Sequence, residues 1–242
     1  FEHGEPVAPL EVLEGKAPKR ATGTTVRFWP EEKYFDSPKF ALKALKHNLK
    51  AKAVLAAGLK ITFIDEINSE TIEWQFENGL VDYLMDELED REIVPDPAYV
   101  ATGEGERASA EFAICWNAEG GEQVQESYVN LIPTAQGGTH VNGLRSGMTD
   151  AMREFCELRN LLPRNMKLSA EDVWDGVNYI LSLKFQEPQF SGQTKERLSS
   201  REASNIMLNI AKDAFALWLN QNSDVAMQLA EMMIAKAGRR LK

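Results

Sequence analysis

The order of the predicted elements is the feature that most constrains the fold of this chain. Strand-like runs come in groups followed by helices, rather than alternating strictly with them, and this order is typical of the α+β class. The strand-like runs are TTVRFW at 24–29, a hairpin formed by 59–65 and 71–76, a second hairpin formed by 108–116 and 124–133, and a buried run at 177–185. Prolines and glycines make 95–107 the predicted linker or loop-rich strand region.

Start and stop signals place the helices around these strands. Ser37-Pro38 predicts a helix that ends near Ala57, because serine caps helices, proline fits their first turn and Gly58 terminates this one. Ser169-x-x-Asp172 and Ser199-x-x-Glu202 have the spacing of capping boxes. The predicted helices cover 37–57, 79–90, 141–160, a short segment after residue 169, 199–220, and 223 to the C-terminus.

Composition excludes several classes of protein. Of the 242 residues, 43% are hydrophobic and 26% charged, which is ordinary for a globular protein and unlike a disordered chain. No run of about 18 apolar residues could span a bilayer, and the N-terminal region lacks the apolar core of a secretory signal. Cys115 and Cys156 are too few for a disulfide scaffold, so a reducing cytoplasm is the expected compartment. Phe1 in place of Met indicates a fragment or a chain whose start is not shown.

Charge is distributed unevenly along the chain, whose formal net charge is −10. Residues 82–126 hold thirteen acidic residues against Arg91 and Arg107, whereas 39–52 is lysine-rich and 139–242 is mildly basic. An acidic middle between two basic surfaces would allow one face to meet a polyanion while the whole chain stays soluble. The alternative is that each charged run is simply a solvated face.

The residues do not supply a complete active site by themselves. No G-x-x-x-x-G-K-[ST] phosphate loop is present, and Gly103-x-Gly105-x-x-Ala fails at the last position of a dinucleotide fingerprint. His3, His47 and His140 lack metal-ligand spacing, and no cysteine pair could complete a zinc site, so no metal site is predicted. Composition and periodicity alone indicate only a soluble α+β protein.

Two loops carry unusual local chemistry. Ser191-Gly-Gln-Thr-Lys195 places an amide and an ammonium group on a tight loop after a strand, and Gln193 with Lys195 suits a terminal phosphate. Gln136-Gly-Gly-Thr-His140 could expose backbone N–H groups at a helix start, where anions bind. The alternatives are a solvated loop lysine and a plain strand-to-helix turn.

Five longer sequence words are specific enough to indicate a family. They are ATGTTVRFWP (21–30), DSPKF (36–40), SYVNLIPTAQGGTHVNGLR (127–145), DAMREFCE (150–157) and PQFSGQTKERLSSR (188–201). These words resemble the ATPase subunits of bacterial type IIA DNA topoisomerases, the family that includes gyrase B. The resemblance covers nearly the whole chain, and SYVNLIPT and ERLSS look more like the topoisomerase IV branch than like gyrase.

The resemblance implies a GHKL-type ATPase domain followed by a transducer domain. Residues 1–78 would be the C-terminal part of the ATPase domain, a remnant of its sheet, and residues 79–242 the transducer. In the family, the transducer is an α+β module related to a ribosomal-protein fold, with a left-handed crossover. This chain would add long C-terminal helices to that module.

The resemblance also implies roles for individual residues. Lys195 matches the transducer lysine that reaches the γ-phosphate of ATP, and Gln193 matches the glutamine beside it, so both are the expected catalytic and nucleotide contacts. Thr24 matches a threonine under the adenine, and Val26 lines the same pocket. Arg145 matches an arginine that faces the central hole through which a DNA duplex passes.

Much of the family's machinery is expected outside these residues. In the family, the general base, the magnesium-binding asparagine, the adenine-binding aspartate and the glycine-rich lid lie upstream, so ATP with Mg²⁺ would be bound mainly by residues outside this chain. We therefore expect an ATP-hydrolysing topoisomerase, an isomerase, only in the full-length protein. The expected partners are a DNA duplex, a second copy of the same protein and the DNA-cleaving A-type partner of topoisomerase IV, in the bacterial cytoplasm at the nucleoid, with no membrane partner.

Two alternatives remain open from the sequence. The chain could be a transducer-like binding or dimerisation module of another GHKL ATPase, of the mismatch-repair or chaperone type; the word at 127–145 argues against those families. It could also be a stand-alone enzyme, for which His140 and the acidic segment 82–126 are the only support.

Overall fold

The computed structural model describes residues 1–12, 22–89 and 91–241. They form two compact units, Phe1–Leu42 and Lys43–Lys242, each described by itself below. The helices and strands of the second unit confirm the predicted α+β class. Within the described ranges, no helix combines the length and the apolar character needed to cross a membrane.

The first unit holds little regular structure. A short 3-10 helix spans Glu32–Tyr34, and the strand predicted at 24–29 is absent, so that prediction was wrong. The reason is that a β-rich run forms a strand only against a partner, and the described part of this unit offers it none. Its large side chains are left exposed, with Val26 at 77% and Trp29 at 76%.

The second unit begins with a helix and a hairpin. Helix α1 (Leu42–Leu55) starts later than predicted, because Ser37 Oγ accepts the Lys39 N–H in a local turn instead of capping a helix. Strands β1 (Ile61–Asp65) and β2 (Glu70–Trp74) pair antiparallel and confirm the first predicted hairpin.

Five strands and five helices follow the hairpin in the described chain. They are α2 (Leu80–Leu88), β3 (Ile93–Gly105), β4 (Ala108–Asn117), β5 (Gln125–Val129), β6 (Ile132–Pro133), α3 (Thr139–Leu158), α4 (Ala170–Trp174), β7 (Val177–Phe185), α5 (Arg201–Gln221) and α6 (Ser223–Arg240). The strands form one sheet in the order β3-β4-β7-β5-β6, in which only β5 and β7 run parallel. The predicted helix 79–90 is α2, although residue 90 itself lies outside the described residues.

Two sequence predictions about this sheet were wrong. The second predicted hairpin does not exist, because β7 lies between β4 and β5 and pairs with both. The burial of nearly every β7 side chain is typical of such a central strand. The segment 95–107 is not a linker but most of the edge strand β3, whose register shifts between Val94 and Tyr99, where two prolines lie.

Helices cover both faces of the sheet. Alternate residues of β4 point to opposite sides: Phe112, Ile114 and Trp116 join the core formed with α3, α5 and α6, whereas Ala113 and Cys115 join the core formed with α1 and α2. Trp116 is fully buried, and its Nε1–H donates to the Val173 carbonyl at 2.7 Å. The sheet is thus the middle layer of three.

The two capping-box predictions had opposite outcomes. Ser169 caps α4, since its Oγ accepts the Asp172 N–H while the Asp172 carboxylate accepts the Ser169 N–H. Ser199 does not cap α5: its hydroxyl donates to the Gln189 carbonyl at 3.1 Å, and the helix starts at Arg201. The serines at 199 and 200 instead bind the loop that precedes α5.

Candidate functional site

The loop that joins β7 to α5, residues 186–200, carries the predicted phosphate-binding pair at its tip. The tip is a tight turn in which the Lys195 N–H donates to the Gly192 carbonyl at 3.1 Å. Below the tip the loop is a narrow hairpin: the Ser191 N–H donates to the Arg197 carbonyl at 3.0 Å, and Phe190 bridges Leu198. We call residues 190–198 the tip hairpin.

Gln193 and Lys195 both lie exposed on this turn, so the structure brings these two predicted residues together on one loop. Lys195 forms no salt bridge with any residue that the structure describes, and its backbone has a φ of 58°. An ammonium group and an amide beside each other, free of internal partners in that part of the chain, can donate hydrogen bonds to a phosphate. The arrangement can bind an anion, but it holds no general base.

The base of the tip hairpin is hydrogen-bonded to the turn that precedes α3. The Gln136 N–H donates to the Glu196 carbonyl at 2.9 Å, the Leu198 N–H to the Gly137 carbonyl at 3.1 Å, and the Thr139 N–H to the Leu198 carbonyl at 3.1 Å. Thr139 is the first residue of α3. The predicted anion-binding loop 136–140 thus serves as the support of the tip hairpin, and α3 begins directly on it.

Gly138 is required by this close approach of two backbones. It has a φ of 140°, and a Cβ at this position would lie 2.4 Å from the Leu198 carbonyl oxygen. Any larger residue would push the tip hairpin away from α3. A double glycine between a strand and a helix was therefore a sequence signal for this contact, although the sequence did not reveal the partner segment.

Sequence reasoning missed a buried polar chain that fixes the same turn to the sheet. Ser127 on β5, Thr134 and His140 on α3 are linked in series, with 2.6 Å between the two hydroxyl oxygens and 3.2 Å from Thr134 Oγ1 to His140 Nε2. His140 is fully buried, and burial lowers its pKa to about 4, so the imidazole is neutral at pH 7. A buried neutral histidine cannot reach a substrate, and the stand-alone enzyme alternative loses its candidate residue.

The other predicted site residues belong to other segments of the chain. Arg145 is half-buried on α3, with its Nε enclosed and without a hydrogen-bond partner among the described residues. Thr24 and Val26 belong to the first unit and are exposed there. In residues 1–12, 22–89 and 91–241, no group of three or more His, Cys, Asp or Glu side chains is placed to hold a metal ion.

The acidic segment and the lysine-rich segment prove to be partly each other's partners. Lys50 on α1 lies 2.6 Å from the Asp86 carboxylate and 2.9 Å from that of Glu87, both on α2, and Lys46 pairs with Glu70 on β2. These lysines are held by internal carboxylates rather than presented to a polyanion.

A polar cluster around Glu126 completes the contact of α1 with the sheet. The Glu126 carboxylate on β5 accepts hydrogen bonds from the hydroxyls of Tyr83 and Tyr128 and lies 3.2 Å from His47 Nε2. Burial raises the pKa of this carboxyl, but the bonds from His47 and Tyr128 outweigh burial and lower it overall. The hydrogen bond to Glu126 raises the pKa of His47, against the opposing effect of burial.

The chain belongs to the DNA gyrase B family, whose model matches residues 79–242. This match confirms the family resemblance of the sequence words and removes the mismatch-repair and chaperone alternatives. The chain is 57% identical over 242 residues to the B subunit of DNA topoisomerase 4 from Pseudomonas aeruginosa and 54% identical to that from Escherichia coli. It is covered completely in both comparisons but spans only 38% of the length of each relative.

Solved structures agree with this family. The fold resembles the topoisomerase IV ATP binding domain of Francisella tularensis, solved with a small-molecule inhibitor, with a TM-score of 0.76 and 40% identity. That match covers 89% of this chain and 58% of the other. The 43K ATPase domain of Thermus thermophilus gyrase B, solved with an aminocoumarin, matches 87% of this chain and 57% of its own with a TM-score of 0.74 and 22% identity, which supports the fold alone.

Proposed function

We propose that this chain is part of the ATPase subunit of a type IIA DNA topoisomerase, in which it senses the γ-phosphate of ATP and transmits the nucleotide state to the DNA clamp. The observation that carries the proposal is the tip hairpin: Gln193 and Lys195 are exposed at its tip, while its base is hydrogen-bonded to the start of α3. Family membership of residues 79–242 and the likeness to an ATP binding domain support the choice of nucleotide.

The residues present fit one end of ATP. Lys195 and Gln193 would hold the terminal phosphate and stabilise the charge that develops on it during hydrolysis. Thr24 and Val26 would lie at the adenine, which gives the exposed Val26 side chain an apolar partner. The described residues contain no carboxylate group suited to Mg²⁺, so Mg²⁺ and the general base would come from outside the chain. ATP supplies the phosphoanhydride bond whose hydrolysis changes the contact at Lys195.

Transmission would follow from the connection between the tip hairpin and α3. Loss of the phosphate contact would release Lys195, and the transducer, 79–242, would then rotate as a rigid body against the ATPase domain, to which 1–78 belongs. Arg145 on α3 would face a DNA duplex in the central hole. The full assembly would contain a second copy of the same protein and the DNA-cleaving A-type partner, act at the bacterial nucleoid, and pass one duplex through another to decatenate and relax DNA.

Substitution of Lys195 tests this proposal. In the full-length protein, Lys195→Ala should lower the ATP turnover rate by at least about 100-fold, the usual effect of removing one charged contact to a developing anion. Lys184→Ala is a matched control, because Lys184 is also exposed, lies near the same loop on β7 and has no described side-chain hydrogen bond. Normal turnover by Lys195→Ala would refute the sensing role.

A further inference from the structure

We propose that Gln136 and Glu196 are positioning residues for Lys195: together they clasp the tip hairpin to the start of α3 and so set the position of the ammonium group. The inference rests on the proposed function, in which Lys195 contacts the γ-phosphate. It assigns a role to two exposed side chains that touch no nucleotide in that scheme.

The clasp consists of three hydrogen bonds between the same two short segments. The Gln136 side-chain Nε2 donates to the Glu196 carboxylate at 2.8 Å, and the Gln136 N–H donates to the Glu196 carbonyl at 2.9 Å. The Arg197 guanidinium donates to the Gln136 carbonyl at 3.3 Å. Glu196 directly follows Lys195, and Gln136 directly precedes the double glycine 137–138.

Lys195 needs such support because little else holds it. Residues 191–197 are all exposed, and within the tip only one turn hydrogen bond, from Lys195 to Gly192, fixes the described backbone. A lysine on a loose loop would have to be ordered each time it met a phosphate, and an error of about 1 Å in its position can cost on the order of 100-fold in rate. The Glu196 side chain, held by Gln136, removes that freedom at the residue adjacent to Lys195.

The same clasp determines what the tip hairpin moves. The next hydrogen bonds toward the base run from Leu198 to Gly137 and from Thr139 to Leu198, so the hairpin ends on the first residue of α3. A shift of Lys195 toward a phosphate is therefore applied to α3 only while Gln136 and Glu196 keep the two segments together. Removing the clasp should uncouple the tip from the helix without disturbing the core, because both side chains are exposed.

A double-mutant cycle in the full-length protein tests the clasp. Gln136→Ala and Glu196→Ala should each lower kcat for ATP hydrolysis by about tenfold, the effect of one charge-assisted hydrogen bond, with KM for ATP changed less than about twofold. The double variant should be no slower than the slower single variant, since either change alone already opens the clasp. Gln136→Lys should return kcat to within about threefold of the wild type, because the introduced ammonium group could pair with Glu196.

Gln186→Ala is the matched control, an exposed glutamine on the same connection whose side chain has no described hydrogen bond; it should leave kcat and the melting temperature unchanged. Unchanged kcat in both single variants, or losses that multiply in the double variant, would overturn the clasp. If Lys195→Ala abolishes turnover while the clasp variants turn over normally, only the positioning role fails. If Lys195→Ala is itself active, the sensing function fails first.

Discussion

Arg240 and Asp172 form a two-bond ion pair across 68 positions of sequence. The guanidinium Nε donates to Asp172 Oδ1 at 2.9 Å, and a terminal nitrogen donates to Oδ2 at 2.8 Å. The same carboxylate accepts the Ser169 N–H and hydroxyl, so the end of α6 is fastened to the cap of α4. The Arg240 hydrogen bonds, together with those from Ser169, lower the pKa of Asp172 to about 2, against the effect of burial.

This ion pair should make stability depend on pH in the acidic range. Because the folded pKa of Asp172 lies below its ordinary value of 3.8, the pair contributes fully above about pH 4 and loses its contribution as the pH falls toward 2. Arg240→Ala should lower the melting temperature at pH 7 by about 2–5 °C and reduce the further loss between pH 4 and 2. Arg239→Ala, the neighbouring arginine, is the control; equal melting curves for the two variants would contradict this account.

The packing of α3 on α5 predicts opposite effects for two glycine substitutions. A Cβ on Gly147 would lie 2.4 Å from the Leu208 carbonyl oxygen on α5, whereas a Cβ on Gly238 in α6 would meet only the end of Met166 at 3.8 Å. Gly147→Ala should therefore cost about 1–3 kcal/mol in the free energy of unfolding. Gly238→Ala should add about 0.5–1 kcal/mol, since alanine favours a helix interior. Chemical denaturation checks both, and a stable Gly147→Ala variant would mean that α3 and α5 can separate at low cost.

The contact between His47 and Glu126 predicts a titration near neutral pH. The pKa of His47 is raised above 6.5, first by the Glu126 hydrogen bond, with a further contribution from Glu87 and opposing effects from burial and Lys50. The charged imidazole thus stabilises the fold fully below pH 6.5, and this contribution is lost as the pH rises through the folded pKa. In an NMR titration, Glu126→Gln should lower the His47 pKa, whereas Glu119→Gln should not. Identical His47 titrations in wild type and Glu126→Gln would disprove the pairing.

The proposed DNA contact of Arg145 predicts a selective defect. In the full-length protein, Arg145→Glu should lower the ratio of DNA-stimulated to basal ATP turnover by at least about fivefold, because it replaces a phosphate-binding cation by an anion. The defect should shrink at high salt, where the charge is screened. Arg107→Glu, at the turn between β3 and β4, is the control. Full stimulation of the Arg145→Glu variant would count against contact with DNA.

The parts of the fold that the sequence predicted well are those that depend on local chemistry. The strand at 177–185 matches β7 residue for residue, and the Ser169 cap lies where its spacing placed it, since both signals come from neighbouring residues. The insertion of β7 between β4 and β5 could not be predicted, because no local pattern states which strands pair. The strand predicted at 24–29 failed for the related reason that a strand needs a partner.

The candidate site divides in the same way. The sequence indicated Gln193 and Lys195 from the composition of their loop, and the structure confirms that they share one exposed turn. The support of that turn by Gln136 and Gly138 depends on segments about sixty residues apart, which only the folded sheet brings together. The buried role of His140 was hidden as well, because burial cannot be deduced from a lone histidine.

The position of β7 in the sheet also imposes an order on biosynthesis. As the chain leaves the ribosome, β3 and β4 can pair at once, but the inner edge of β4 and the facing edge of β5 must wait until 177–185 has been made. During that interval both edges offer unpaired N–H and C=O groups to other chains. A nascent chain halted before residue 177 should therefore aggregate or recruit a chaperone, whereas one halted after residue 185 can already close the sheet.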